Sequence, residues 1–126
     1  MSRPEVTPLE LKAHLVEELS LLEADPERQI AWLTETRSNP YELLENLDIT
    51  WPTWRWRLEE NQLLDAETIR RMDILKDAAL ALWNPQYESI LTHSGMRDAP
   101  EWRQLRKLAA EAKVALMQVQ EKPSTA

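Results

Sequence analysis

"WPTWRWRLEENQ", Trp51 to Gln62, places three tryptophans and two arginines within seven positions. Taken as a helix at about 100° per residue with Trp51 at the origin, Trp54 falls at about 300°, Leu58 at about 340° and Gln62 at about 20°. Those residues share one face. Trp56 falls at about 140°, beside Glu60 at about 180°, on the opposite side. Arg55, at about 40°, borders the apolar face, and Arg57, at about 240°, lies on its other flank. Trp51, Trp54 and Leu58 are therefore expected in the core, and Trp56 is expected wholly or partly outside. Either a neighbouring helix covers Trp56 or the residue is free to bind, since an exposed tryptophan between arginines has the composition of a binding hot spot.

The start of this helix sets the layout around it. "LDIT" reads as a break, with Thr50 as N-cap and Pro52 still in the first turn. The expected order is a short helix over 40–47, a tight turn over 48–50, a second short helix over 51–61 and a longer one over 65–83. That order is a helix-turn-helix layout, in which Thr53, Arg55, Trp56 and Arg57 would occupy the exposed start of the recognition helix. Arg57 would reach a guanine edge or a phosphate, with Arg70 and Arg71 in support on the next helix. Residues 51–76 carry five basic and five acidic side chains, fewer net positive charges than a dedicated DNA reader normally has.

The flanking helices announce their own starts. "TPLE" sets Thr7 as N-cap, Pro8 at the first helical position and Glu10 as the far half of a capping box. Leu11, Leu15, Leu19 and Leu22 follow as one apolar stripe. "DPER" at Asp25 and "NPYE" at Asn39 open two more helices, with Ile30 and Leu33, then Leu43, Leu44 and Leu47, turned inward and Trp32 at an edge. "NQLL" is a turn, and Asp65 caps a helix that buries Ile69, Met72, Leu75, Ala79 and Leu82. "NP" at Asn84 opens a short helix with Tyr87, Ile90 and Leu91, and the single Gly95 is expected as a left-handed C-terminal cap. "DAPE" starts the last helix at Asp98, where Trp102, Leu105, Ala109, Ala112, Leu116 and Val119 form a heptad-like seam. That seam serves either intramolecular packing or a homodimer through residues 98–120.

These patterns predict an all-α fold: a compact bundle of about six helices with a helix-turn-helix-like central core and a long C-terminal helix. One glycine and no phenylalanine in 126 residues argue against sheets. The length suits one domain over 1–122, with 123–126 as a disordered tail. No cysteine is present, which excludes disulfides, thiol nucleophiles and cysteine-held zinc. Neither a signal peptide nor a membrane-spanning run is visible, so a soluble, cytoplasmic protein that does not enter a membrane is expected. The net charge of −7 lies in the first 50 residues, which hold 11 acidic and 4 basic side chains. Such a balance opposes nonspecific nucleic-acid binding and suits a basic partner.

Catalytic sets are not evident, so no enzyme, cofactor or metal is expected. His14 and Glu18 stand one helical turn apart, yet no third or fourth metal ligand accompanies them. Adjacent carboxylates such as Glu17–Glu18 and Glu59–Glu60 diverge by about 100° on a helix and make poor acid/base pairs. No glycine-rich loop exists to hold phosphate.

The run "WRWRLEENQLLDAETIRRMDIL", residues 54–75, resembles the N-terminal helical segment of Xre-type antitoxins that neutralise RES-domain toxins. Arg57, Gln62, Leu64, Glu67, Arg70 and Arg71 carry the resemblance, which spans roughly residues 40–83. The C-terminal part lacks that family's Trp-Leu and Gly-Pro pattern. The resemblance implies an antitoxin- or regulator-like protein with a helix-turn-helix core.

The functional expectation is a non-catalytic helical protein that binds a protein partner stoichiometrically, with DNA as a second candidate. Thr53, Arg55, Trp56, Arg57, Arg70 and Arg71 would form the contact surface. The alternatives are an acidic immunity or inhibitor protein that blocks a basic enzyme through Glu17, Glu18 and Glu23, and a dimeric assembly adaptor.

Overall fold

In the computed structural model, which describes residues 6–119, the chain forms six α-helices and one 3-10 turn, with no strand among the described residues. The helices are α1 (Pro8–Glu23), α2 (Pro26–Thr36), α3 (Pro40–Glu60), α4 (Ala66–Ala81), α5 (His93–Asp98) and α6 (Pro100–Gln118), and the 3-10 turn is Pro85–Ile90. The all-α expectation holds, long C-terminal helix included. The expected tail over 123–126 lies outside the described residues.

The four longest helices pack in a ring, α1 beside α3, α3 beside α4, α4 beside α6 and α6 beside α1. Neighbours run in opposite senses. His14 lies against Trp54, Glu18 against Thr50, and Leu22 near Leu43 and Leu47, so α1 and α3 are antiparallel. Arg71, near the start of α4, reaches Glu111, near the end of α6. Leucines of all four helices, with Trp51, Met72 and Trp102, fill the space between them. α2, the 3-10 turn and α5 close one end, where Arg97 of α5 bonds Glu27 of α2 at 2.6 Å.

That end is held by a buried polar group. Gln29 is fully buried, and its Nε2 donates to the Leu21 and Leu22 carbonyls at 3.1 and 2.9 Å, satisfying the last turn of α1. Arg106 donates to Gln29 Oε1 and to the Met96 carbonyl, at 3.2 and 3.0 Å. Burial pulls its guanidinium below the usual arginine value, with Arg103 adding to the effect.

The central layout corrects the sequence reading. No turn interrupts 48–50, and the two expected short helices are one helix through Pro52. A proline inside a helix removes a backbone bond and costs about 3 kcal/mol. Against that, Leu43, Leu44, Leu47, Trp51 and Leu58 form one continuous buried stripe across the proline. Burying Trp51 and Leu58 contributes about 1.5–3 kcal/mol each, and a turn at 48–50 would throw them out of line with the leucines. Packing outweighs the proline. Thr50 is accordingly no cap: its hydroxyl lies within reach of the Asn46 carbonyl at 2.7 Å and of Glu18 Oε2 at 2.8 Å. The helix-turn-helix spacing on which a separate recognition helix depended is absent.

Three local expectations change with the geometry. Gly95 lies inside α5, not in a left-handed cap, and its amide donates to Thr92 Oγ1 at 3.0 Å. A glycine is needed there because a Cβ would collide with the Ile90 backbone. The left-handed caps fall instead on Arg37 (φ 54°) and Gln62 (φ 59°). Ala99, not Asp98, caps α6, without a side-chain bond. In α4, Thr68 takes the fully buried position and Ile69 is only half-buried.

Candidate functional site

Continuity through Pro52 gives α3 two opposed faces. With Tyr41 at the origin, the buried leucines and Trp51 occupy about 200–300°, while Pro52, Trp56 and Ile49 fall at about 20°, about 60° and about 80°. Trp56 is 63% exposed, Ile49 57% and Tyr41 37%, and Pro52 is exposed between them. The four form an apolar stripe about 22 Å long on the solvent side. No neighbouring helix covers Trp56. Trp51 is buried and its Nε1 donates to Asp73 Oδ1 at 2.9 Å, while Trp54 is half-buried against His14, with ring centroids 6.3 Å apart.

The arginines expected beside Trp56 do not share its freedom. Arg55 turns toward the α3–α4 seam, bonding Glu59 at 2.6 Å and Asp73 at 3.4 Å and lying 5.8 Å from the Trp51 ring centroid. The hydrogen bond to Glu59 lifts its already high pKa further. Arg70 grips Glu67 at 2.8 and 3.1 Å, and Arg71 bridges Glu67 at 2.8 Å and Glu111 at 2.6 Å. Both contacts hold the exposed Glu67 carboxyl below its ordinary value, the Arg70 bond first. Arg57 is half-buried and pairs with no carboxylate among the described residues. Thr53 is exposed, and its hydroxyl donates back to the Ile49 carbonyl at 2.8 Å. Of the six expected contact residues, Thr53 and Trp56 face outward together and Arg57 stands at their border, whereas Arg55, Arg70 and Arg71 serve intramolecular pairs.

The three glutamates of the acidic alternative do not form one free surface. Glu17 is exposed, with His14 at 3.8 Å. Glu18 is half-buried at the Thr50 hydroxyl, and burial raises its carboxyl above the ordinary value against the lowering pull of that bond and of His14. Glu23 forms an ion pair with Lys113 of α6.

The seam of α6 lies inside the ring: Trp102, Leu105, Ala109, Ala112 and Leu116 are all buried against the monomer's own helices. These five residues of the expected dimer seam are therefore spent on packing within the monomer. Among the described residues no three His, Cys, Asp or Glu side chains cluster as metal ligands, and no helix is long and apolar enough to cross a membrane. A groove of about 470 Å³ between the end of α4 and the start of α6 is walled by Ala78, Ala81, Leu82, Tyr87, Pro100 and Leu105, an apolar surface rimmed by Glu101 and Gln104.

Tyr41, Ile49 and Pro52 are missing from the site expected from sequence because the expected turn falls among them. A signal for them exists: carrying the helical wheel of Trp51–Gln62 back to Pro40 aligns all three with Trp56.

Comparison with protein-family models, with curated proteins and with solved structures finds no match for this chain.

Proposed function

We propose that the chain is a small helical binding protein that acts by stoichiometric contact with a protein partner through the outer face of α3. The supporting observation is the stripe of Trp56, Ile49, Pro52 and Tyr41, turned away from a core that α3 already fills with its opposite face. An exposed apolar stripe that ends on a tryptophan is what interaction surfaces present, and alanine scans find tryptophan among the residues that dominate binding. An antitoxin- or regulator-like role is the form of such binding that the resemblance over 40–83 implies.

A protein partner is favoured over DNA. Arg55, Arg70 and Arg71 are engaged by carboxylates, α3 has five acidic against two basic side chains, and no separate recognition helix exists to enter a groove. The test is co-purification from the native host. The intact chain should retain one protein in a 1:1 complex, and Trp56→Ala, with an unchanged melting curve, should lose it. A partner held equally by Trp56→Ala would reject this face, and a gel-shift on duplex DNA abolished by Arg57→Ala would restore the DNA reading.

A further inference from the structure

The rim of the α3 stripe and its backbone describe what should cover it. On the wheel, Glu45 stands at about 40°, inside the stripe, and Glu42 and Glu60 at about 100°, along its edge. Of the two guanidinium groups of α3, Arg55 is drawn off the face by Glu59 and Asp73, and Arg57, at about 160°, stands beyond the edge that Glu42 and Glu60 mark. The face is therefore an apolar strip with three glutamates in and along it and one arginine outside that edge, on a chain of net charge −7.

A second feature lies in the backbone. Pro52 has no N–H, so the Asp48 carbonyl lacks its helical donor. The neighbouring threonine hydroxyls do not replace it: Thr50 lies within reach of the Asn46 carbonyl and Glu18, and Thr53 donates to the Ile49 carbonyl. A carbonyl without its usual i+4 amide donor thus sits beside the exposed Pro52 ring. Apolar contact, acidic side chains and this carbonyl together call for a surface that is apolar along its centre and rich in cationic N–H donors at its edges.

Building on the reading of α3 as the contact face, we propose that this face docks a cationic amphipathic helix of the partner protein, roughly 15 residues long to match the strip. Lysine or arginine side chains at its edges meet Glu42, Glu45 and Glu60 and donate to the Asp48 carbonyl, while its apolar face covers Trp56, Ile49 and Pro52. Other occupants are opposed by charge. A second copy would bring two acidic rims together, and anionic lipid or nucleic acid would meet the same repulsion.

The test titrates the full chain with three labelled 16-residue amphipathic helical peptides that share one leucine face and carry Lys, Gln or Glu at the flanks. The Lys peptide should bind about 30-fold tighter than the Glu peptide, with the Gln peptide between them. Trp56→Ala should weaken the Lys peptide by about 30-fold and Glu45→Lys by about 10-fold. Lys107→Glu, an exposed charge on α6 at the diagonal corner of the ring, should change it by less than about 2-fold. Thermal melts of each variant verify folding.

Equal binding of all three peptides, lost in Trp56→Ala, would keep α3 as the contact face and overturn the cationic partner. Binding of the Lys peptide that Trp56→Ala leaves unchanged would reveal diffuse attraction and reject the face itself. Absence of binding by every peptide overturns the proposal. So does a sedimentation mass that rises to a dimer with concentration and falls back in Trp56→Ala, because a second copy would then be the occupant.

Discussion

α3 and α6 are close in length, 21 and 19 residues, each opens on a proline, and they stand at diagonal corners of the ring. Their inner faces do the same work. α6 buries Trp102, Leu105, Ala109, Ala112 and Leu116; α3 buries Leu43, Leu44, Leu47, Trp51 and Leu58. Their outer faces differ. Along most of its length α6 turns charge and amide to solvent through Arg103, Gln104 and Lys107, with Val114 and Met117 exposed only near its end. α3 sets its apolar residues at the centre of its outer face, through an interior proline that folding alone would disfavour. Core packing and solvation account for α6 over most of its length. They do not account for the outer apolar residues of α3, and that is where a partner's requirements are to be sought.

The largest test of this contrast sets the tryptophans of the two helices against each other. Trp102 is fully buried and its Nε1 donates to the Ile90 carbonyl at 2.7 Å. Trp102→Ala should lose about 3–5 kcal/mol in urea denaturation, whereas Trp56→Ala should change stability by no more than about 0.5 kcal/mol. Comparable losses would mean that Trp56 belongs to the fold after all. Pro52→Ala comes next and should stabilise the chain by about 1–3 kcal/mol, because it restores the Asp48 carbonyl's donor inside a continuous helix. If 51–61 were a separate helix with Pro52 in its first turn, the same change would be neutral or destabilising.

How far the sequence reveals this fold follows the same division. α1, α2 and α6 are legible because their apolar residues repeat on one face and nothing interrupts them. Thr7 and Asp25 cap as their sequences require, accepting from the Glu10 and Arg28 amides at 3.2 and 3.0 Å. α3 misleads because Thr50 and Pro52 are the signals of a helix start, and a local signal carries no information about the leucine stripe it must stay aligned with. Gly95 misleads in a related way. Its lack of a side chain answers a close approach to Ile90 from outside its own helix, not a need for positive φ. The exposure of Trp56 is readable from its angle alone. Its companions Ile49 and Tyr41 are readable only by carrying the wheel back through Pro52, since their alignment with Trp56 exists only when the helix is unbroken.

The two helices also end differently, which supplies a finer test. α6 stops at Val119 with φ −65°. α3 stops with Gln62 in the left-handed region, φ 59°, so that the Leu63 amide can donate to the Leu58 carbonyl at 2.9 Å and Leu63 can turn into the core. A non-glycine residue in that conformation costs roughly 1 kcal/mol. Gln62→Gly should recover up to about 1 kcal/mol, less the entropy that glycine adds to the unfolded chain. A loss of stability in thermal melts would indicate that the Gln62 side chain makes a contact worth more than the strain.

The smallest expected effect concerns the contact that ties α3 to α1. Burial lifts the Glu18 carboxyl above its ordinary value of 4.5, although the Thr50 hydroxyl and, more weakly, His14 pull it back. The folded state therefore holds this proton more tightly than the unfolded chain does. Stability from this group falls as pH rises through the interval between 4.5 and the raised folded value, and the full penalty is present at neutral pH. Glu18→Gln keeps an oxygen to accept from Thr50 and removes the buried charge. The variant should be more stable than the parent at pH 7, by less than Gln62→Gly gains, and the difference should shrink toward zero as melts are repeated down to about pH 4. A difference that grew on acidification would reverse the sign. It would mean that the charged carboxylate at Thr50 holds α1 against α3, and that the inner edge of α3 depends on an ionised Glu18.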